Sequence, residues 1–195
     1  GFDLYIVPMQ QISTSAKLHE SDLKFVQNLC TFLKQLDYKI NVDIQDIHPK
    51  RYYVNVKNPP SFKLDQLKQI DMMSTNVKDC VIDFGKDILK LDMMKHGNRK
   101  KRTRDIEPTM VPTHYDLKEV DVHLKKIISY MVAMTEMEFT LDLKKNPLNY
   151  DIYITDMEDF LLRDILYIVE TFSAFVETLT VDFPKKQLHI TIKKI

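Results

Sequence analysis

The densest cluster of chemically active side chains in the sequence is a run of cations near its middle. Residues 95–104 contain six lysines and arginines and no acid, and the candidate binding residues among them are Arg99, Lys100, Lys101, Arg102 and Arg104. Such a run binds nucleic-acid phosphates by charge, or serves as a nuclear-localisation signal. Both roles are open at this stage, and a third alternative is that the run is only a solvated linker.

The sequence lacks the motifs needed for catalysis. It has three glycines, at positions 1, 85 and 97, so the glycine-rich loops that bind dinucleotides or phosphates are missing, as is a GxSxG nucleophile elbow. No histidines have the HxH or HExxH spacing of a zinc site. The nearest set of potential ligands, which we interpret as the polar start of a helix, is His114, Asp116, Asp121 and His123. We therefore predict no enzyme activity, no metal and no cofactor.

Two other groups of acids are candidates for acid–base chemistry. Asp156, Glu158 and Asp159 come at the start of a predicted helix, where free backbone amides and the helix dipole favour carboxylates. Asp83 and Asp182 each precede a phenylalanine near a predicted turn. They are either a symmetric functional pair or, as we predict, solvent-facing strand residues beside a turn. We expect a structural role for both groups.

The composition is that of a globular protein with a sizeable core. Of the 195 residues, 44% are apolar and 29% are charged, and a chain of this length buries roughly 70% of its unfolded surface. Outside the basic run there are 22 cations against 28 anions, an acidic balance that opposes a broad phosphate-binding surface. Cys30 and Cys80 lie in apolar runs without CxxC spacing, so we predict buried, reduced thiols.

The sequences before and after the basic run repeat one pattern. The alternating residues Ile40, Val42 and Ile44 recur ninety-nine positions later as Phe139, Leu141 and Leu143. With one residue of slippage, the match continues through Tyr52, Val54 and Val56 (Tyr150, Ile152 and Ile154), Leu67 and Ile70 (Leu166 and Val169), and Asp83-Phe84 (Asp182-Phe183). This self-similarity predicts an internal duplication. Two copies are too few for a solenoid, so we expect a pseudo-twofold arrangement.

Each copy is predicted to follow the order α-β-β-α-β-β. Apolar spacings of three and four predict helices near 21–36, 61–70, 116–134 and 157–173, the first beginning at Ser21 or His19. Alternation predicts strands within 38–57 and at 77–84, 88–94, 137–144, 149–155, 176–183 and 186–194, and residues 2–9 suggest an edge strand.

The predicted fold class is therefore α+β. One antiparallel sheet, or two, would have helices on one face and a surface of mixed charge on the other. The residues predicted on that second face are Lys39, Asn41, Asp43, Tyr53, Asn55, Asp83, Asp142, Tyr153, Asp182, His189 and Thr191. The predicted domains are a first repeat at 1–95, a flexible basic connector at 96–113 and a second repeat at 114–195.

These features favour a non-enzymatic protein–protein interaction or assembly module. Its partner would be another protein or a second copy, pairing with an unpaired outer strand such as 188–195. The alternative is a nucleic-acid-binding accessory factor that uses the connector. We expect an intracellular protein without a membrane span, in the nucleus rather than the cytoplasm. Abundant Lys, Asp and Ile without Trp is typical of A/T-biased genomes, including those of large DNA viruses.

Overall fold

Helical and alternating apolar patterns produce three helices and eleven strands in the part of the chain that is described. The structure is a computed structural model and describes residues 13–14, 17–97, 124 and 140–194. The helices are α1 (Glu20–Leu36), α2 (Leu64–Met72) and α3 (Leu162–Thr171). The strands are β1 (Ser13–Thr14), β2 (Asn41–His48), β3 (Arg51–Lys57), β4 (Ser61–Lys63), β5 (Val77–Asp83), β6 (Ile88–Met94), β7 (Thr140–Lys145), β8 (Asn149–Thr155), β9 (Asp159–Leu161), β10 (Val176–Asp182) and β11 (Gln187–Lys193). The predicted α+β class is confirmed.

The chain divides into two units. The first comprises Gly1–Pro60 and Asp65–Arg102, and the second comprises Ser61–Leu64 and Thr103–Ile195. The short strand β4 therefore belongs to the second unit, although it lies in the first half of the sequence. The predicted domain boundaries stay a prediction, because nearly all of the connector at 96–113 is outside the described residues, as are the predicted strand at 2–9 and the predicted helix at 116–134 except for Leu124.

Helix α1 begins where its sequence supplies a cap. The side chain of His19 accepts a hydrogen bond from the backbone N–H of Ser21, and Glu20 and Asp22 place carboxylates in the first turn, where the helix dipole favours them. The helix ends at Leu36. Its buried apolar residues recur at spacings of three and four and are Phe25, Val26, Leu29, Cys30 and Leu33. Each of the valine, leucine and phenylalanine side chains contributes about 1.5–3 kcal/mol when fully buried.

The sheet of the first unit has the strand order β1-β2-β3-β6-β5. Neighbours from β2 to β5 are antiparallel, whereas β1 pairs with β2 in parallel, with Ser13 opposite Asp43 and Thr14 opposite Ile44. The predicted alternation is confirmed by burial. The buried positions include Val42, Ile44, Tyr52, Val54, Val56, Leu89, Leu91 and Met93. Cys30 and Cys80 are buried, as predicted, and neither forms a disulfide.

The sheet of the second unit has the strand order β4-β10-β11-β8-β7, and all its neighbours are antiparallel. Phe62 of β4 is fully buried and packs edge-to-face against Phe183, with 6.0 Å between ring centroids. Two predictions are wrong here. Ser61 begins a strand rather than a helix, because Phe62 pairs opposite Val181. The carboxy-terminal strand β11 is interior, since β10 and β8 pair with its two edges.

Element order and turn conformations recur in the two units. Two strands, a short strand, a helix and two strands follow one another twice. Positive φ angles occur at Asn58 (54°) and Asp156 (63°), and again at Asp87 (57°) and Lys186 (51°). The two members of the first pair are ninety-eight residues apart, and those of the second pair are ninety-nine residues apart. The recurrence supports the predicted duplication, which stays a prediction, as does the placement of helices on one face.

One detail of the predicted repeat is corrected within the helices. Leu67 and Ile70 of α2 are fully buried, and the buried residues of α3 ninety-eight positions later are Ile165 and Ile168. The predicted matches at ninety-nine, Leu166 and Val169, are half-buried. The offset between matching positions of the two units therefore changes from ninety-eight to ninety-nine after the helix.

Candidate partner-binding surface

Polar side chains of β7, β8 and β11 form one surface of the second sheet. Strand pairing sets Thr191 opposite Asp151, His189 opposite Tyr153, and Lys144 opposite Asp151. Alternate side chains of a strand point to opposite faces, and the residues between these positions are buried, namely Ile152, Leu188 and Ile190. We call Lys144, Asp151, Tyr153, His189 and Thr191 the polar cluster.

Asp151 is the hydrogen-bonding centre of the polar cluster. Its Oδ1 atom lies 3.0 Å from Nε2 of His189 and accepts a hydrogen bond of 3.1 Å from Oγ1 of Thr191. The side-chain amide of Asn146 donates to its Oδ2 atom. These bonds, that from His189 first, hold the pKa of the Asp151 carboxyl below its ordinary value. Because an ionised carboxylate only accepts, Nε2 of His189 must carry a proton.

The ring of Tyr153 lies between an imidazole and a cation. It stacks on His189 with 4.4 Å between centroids and 6° between planes. Nζ of Lys144 lies 5.1 Å from the Tyr153 centroid. Since β8 separates β11 from β7, His189 and Lys144 approach the ring from neighbouring strands on either side. Stacking and cation–π contacts of this kind each contribute about 0.5–1 kcal/mol, and they restrict the rotamers of all three side chains.

The polar cluster presents hydrogen-bonding groups to a binding partner in fixed positions. His189 keeps 30% of its side chain exposed, and no described residue forms a hydrogen bond with its Nδ1 atom. With Nε2 committed to Asp151, Nδ1 can accept from a partner when the imidazole is neutral and donate when it is charged. Lys144 adds a cation beside it. The arrangement therefore suits recognition of a polar or acidic group.

The outer edge of β7 adjoins this cluster. Strand β7 is the last strand of its sheet among the described residues. In the first unit, β2 occupies the corresponding position and pairs on its outer edge with β1 through Asp43 and Ile44. The residues ninety-nine positions later are Asp142 and Leu143 of β7. A strand edge exposes a row of backbone N–H and C=O groups that a further strand can pair with.

The residues predicted to bind nucleic acid or to direct nuclear import lie outside the described residues. This holds for Arg99, Lys100, Lys101, Arg102 and Arg104, and also for the rejected ligand set at 114–123. The basic run is described only at its beginning, where Nζ of Lys95 forms an ion pair of 2.9 Å with Asp46.

The acids singled out from the sequence serve local structure. Oδ1 of Asp83 accepts from the backbone N–H of Lys86 at 2.8 Å, and Oδ1 of Asp182 accepts from that of Lys185 at 3.0 Å. Both stabilise turns, in agreement with the predicted role.

The prediction that Asp156, Glu158 and Asp159 lie at the start of a helix is wrong. Helix α3 begins at Leu162, and Asp159 lies in β9. Asp156 has a positive φ angle and accepts a hydrogen bond from Oγ1 of Thr140.

Sequence reasoning recovered only part of the polar cluster. Alternation places Tyr153, His189 and Thr191 on the polar face, but it did not single out Asp151 or Lys144. The signal that would have found them is register, since Asp151 and His189 come together only when β8 pairs with β11 at one alignment.

Comparisons of the chain with protein families, curated proteins and solved structures find no match. Among the described residues, no three histidine, cysteine or carboxylate side chains are grouped as metal ligands. Within the same residues, every helix is too short or too polar to cross a membrane.

Proposed function

We propose that the protein is a non-enzymatic protein–protein interaction module that binds an extended segment of its partner along the outer edge of β7. The partner strand adds to the sheet through backbone hydrogen bonds, a mode of recognition known as β-augmentation. The observation that carries the proposal is the contrast between two edges: β2 pairs with β1 at Asp43 and Ile44, whereas β7 is the last described strand of its sheet.

The side chains beside the β7 edge define the segment that fits it. Leu141 and Leu143 are half-buried on one side of the strand, and Asp142 and Lys144 are exposed on the other. An added strand continues the same two faces, because side chains alternate with a period of two. The expected partner segment therefore alternates apolar and polar residues, with an acidic residue near Lys144. The polar cluster supplies specificity, and the backbone supplies affinity.

Proline substitutions at two adjacent positions test the edge directly. In an antiparallel pair, successive residues direct their N–H groups alternately toward the neighbouring strand and away from it. Of Asp142→Pro and Leu143→Pro, one therefore removes an N–H that faces β8 and the other removes an N–H at the outer edge. Thermal unfolding identifies the variant that keeps the sheet intact.

The edge variant is then compared with the unmodified protein for capture of a partner from the source cells. We expect the sheet-intact proline variant to lose at least tenfold in affinity for the captured protein. A Glu158→Ala variant, changed at an exposed residue outside both sheets, is the matched control and should bind normally. Retained binding by the edge variant would overturn the proposed site, and failure of the unmodified protein to capture any partner would overturn the function.

The basic run favours a second candidate, a nucleic-acid-binding accessory factor. Neutralising phosphates with several cations gives binding that weakens steeply with salt. Replacement of Arg99, Lys100, Lys101, Arg102 and Arg104 by Ser should abolish binding to labelled DNA or RNA at low salt. Absence of binding by the unmodified protein under those conditions would leave the run as a localisation signal or a linker.

A further inference from the structure

The strand at the outer edge of the second sheet, β7, has a sequence that can pair with itself. From Thr140 to Lys144 it reads Thr-Leu-Asp-Leu-Lys, so exposed polar residues alternate with half-buried leucines. The partner segment expected under the proposed function, on which this inference rests, has the same alternation. A second copy of the chain therefore carries a segment of the required kind, and its Asp142 supplies the acid that is expected near Lys144.

Only some antiparallel alignments of β7 with its copy keep the two faces of the sheet continuous. Residues directly opposite each other in an antiparallel pair have their side chains on the same face, and successive side chains alternate between the faces. Each residue must therefore lie opposite one that is an even number of positions away, and one residue lies opposite itself. The two alignments that overlap most of the strand have Asp142 or Leu143 at this central position.

Charge selects between these two alignments. With Asp142 at the centre, two carboxylates lie opposite each other, which is destabilising. With Leu143 at the centre, Asp142 of each copy lies opposite Lys144 of the other, so both pairs combine opposite charges. Nζ of Lys144 lies 5.1 Å from the centroid of the Tyr153 ring, and this contact leaves its N–H groups able to donate to a carboxylate. The charges of β7 are therefore complementary to those of its own copy.

The exposure of the central leucine favours the same alignment. Leu143 corresponds to Ile44 of the first unit, ninety-nine positions earlier. Ile44 is fully buried and pairs with Thr14 of β1, whereas Leu143 is half-buried. At the centre of a symmetric pair, the two copies of Leu143 lie side by side on the apolar face, so each covers the other. This burial of apolar surface stabilises the association.

We propose that the partner is a second copy of the chain, and that the β7 strands of the two copies pair antiparallel about a twofold axis beside Leu143. Asp142 of each copy then pairs with Lys144 of the other. Both copies use the same surface, as a twofold interface requires. The contact joins two sheets of five described strands each into one continuous sheet and pairs the outer edges of both β7 strands. The polar clusters of the two copies lie on the same face of this sheet.

Exchange of charges between the two positions tests the pairing, with sedimentation equilibrium of the whole chain as the measurement. The unmodified protein should dimerise as its concentration rises. Asp142→Lys sets cations opposite each other in both pairs and Lys144→Asp sets acids opposite each other, so the dimer dissociation constant of each variant alone should rise by about tenfold or more. An equimolar mixture of the two variants restores both opposite-charge pairs and should dimerise within about threefold of the unmodified protein. Recovery in the mixture also shows that each single variant is folded.

A cross-link tests the alignment without changing a charge. Opposite residues of an antiparallel pair have Cα atoms about 4.5–5.5 Å apart, within the span of a disulfide, so Leu143→Cys should form a covalent dimer on mild oxidation. Leu141→Cys is the matched control. Its two copies are separated by four residues of strand, roughly 13 Å, and should stay unlinked. Cross-linking of Leu141→Cys in place of Leu143→Cys would overturn the alignment.

Two results would overturn the proposed dimer. One is an unmodified protein that stays monomeric at every concentration, and the other is a dimer that is equally stable in both single charge variants. A monomer that captures a different protein, and loses it when the β7 edge carries the sheet-intact proline, would leave the proposed function standing with a different partner. A monomer that captures no protein would overturn both the dimer and the proposed function.

Discussion

The polar faces of the two sheets use their acids differently at corresponding positions. In the first unit Asp92 of β6 lies opposite Tyr53 of β3, and it binds the guanidinium of Arg51 through two hydrogen bonds of 3.1 and 2.5 Å. In the second unit the acid is on the other strand of the pair, since Asp151 of β8 lies opposite Thr191 of β11. Here its donors are an imidazole, a hydroxyl and an amide.

This difference indicates which face is available to a partner. A guanidinium and a carboxylate joined by two parallel bonds satisfy each other's strongest hydrogen-bonding groups, and the bond to Asp92 raises the pKa of Arg51. On the first face, the cation and the acid therefore bind each other rather than a partner, and we call it the closed face. We call the corresponding face of the second sheet, which carries the polar cluster, the open face. Asp151 instead orients His189 and leaves its second nitrogen without a partner among the described residues. The second face also adjoins the β7 edge, so both features of the proposed binding site lie in the second unit.

The largest expected effect comes from the strand that the first half of the sequence contributes to the second unit. Phe62→Ala removes a fully buried ring that contacts Phe183, and should lower the free energy of unfolding by about 3–4 kcal/mol. The hydrogen-exchange protection of backbone amides should fall more in β10 and β11 than in β3 and β6. Phe84→Ala, at a fully buried position of the first unit, is the matched control with the opposite pattern. Equal losses in both units for both variants would contradict the assignment of β4.

The contrast between β4 and the longer strands shows what the sequence can predict. Alternation over three or more apolar residues, as at Ile40, Val42 and Ile44, needs only local information, and those strands were found. Ser61–Lys63 holds one buried residue, and Ser61 after two prolines is equally typical of a helix start. Its strand character comes from pairing with β10, more than a hundred residues away. Local patterns do not encode that pairing.

The polar cluster was incompletely predicted for the same reason. Asp151 is separated from His189 and Thr191 by thirty-eight and forty positions. A shift of one residue in the register between β8 and β11 would move Asp151 to a different neighbour. The residue types were visible in the sequence, but the hydrogen bonds depend on an alignment that only the folded sheet defines.

Disrupting the closed face should cost less than removing Phe62 but more than disrupting the open one. Arg51→Ala leaves the carboxylate of Asp92, which has a side-chain exposure of 10%, without its cation, and should destabilise the protein by about 2 kcal/mol. Asp92→Ala should cost somewhat less, because Arg51 is 30% exposed and can be solvated. A double-mutant cycle measured by urea unfolding should give a coupling of about 1 kcal/mol or more. Additive effects would show that the pair contributes nothing as a pair.

On the open face, Asp151→Asn should have a smaller effect that depends on pH. Replacing the ionised acceptor weakens the bonds from His189 and Thr191 and should cost about 1 kcal/mol near neutral pH, after allowing for partial exposure. The folded-state pKa of Asp151 is lowered, so its contribution is complete above the unfolded value of about 3.9. It is lost as the pH falls through the lower folded value.

Urea unfolding of the unmodified protein and of Asp151→Asn at several pH values measures this contribution. The difference in unfolding free energy should shrink as the pH falls below about 4. A difference that grows as the pH falls below about 4 would contradict the role of Asp151 as an ionised acceptor. Glu158→Ala, at an exposed position, should show little difference at any of these pH values.

The smallest expected effect distinguishes the two turns that close the last strand pair of each unit. Asp87 and Lys186 have φ angles of 57° and 51°, in the left-handed region, which aspartate tolerates better than lysine does. Glycine relieves this strain but increases the entropy of the unfolded chain. Lys186→Gly should therefore stabilise the protein by about 0.5 kcal/mol, whereas Asp87→Gly should be nearly neutral. Denaturant midpoints at unchanged m-values measure both effects, and a larger gain at Asp87 would mean that the first turn, not the second, stores the strain.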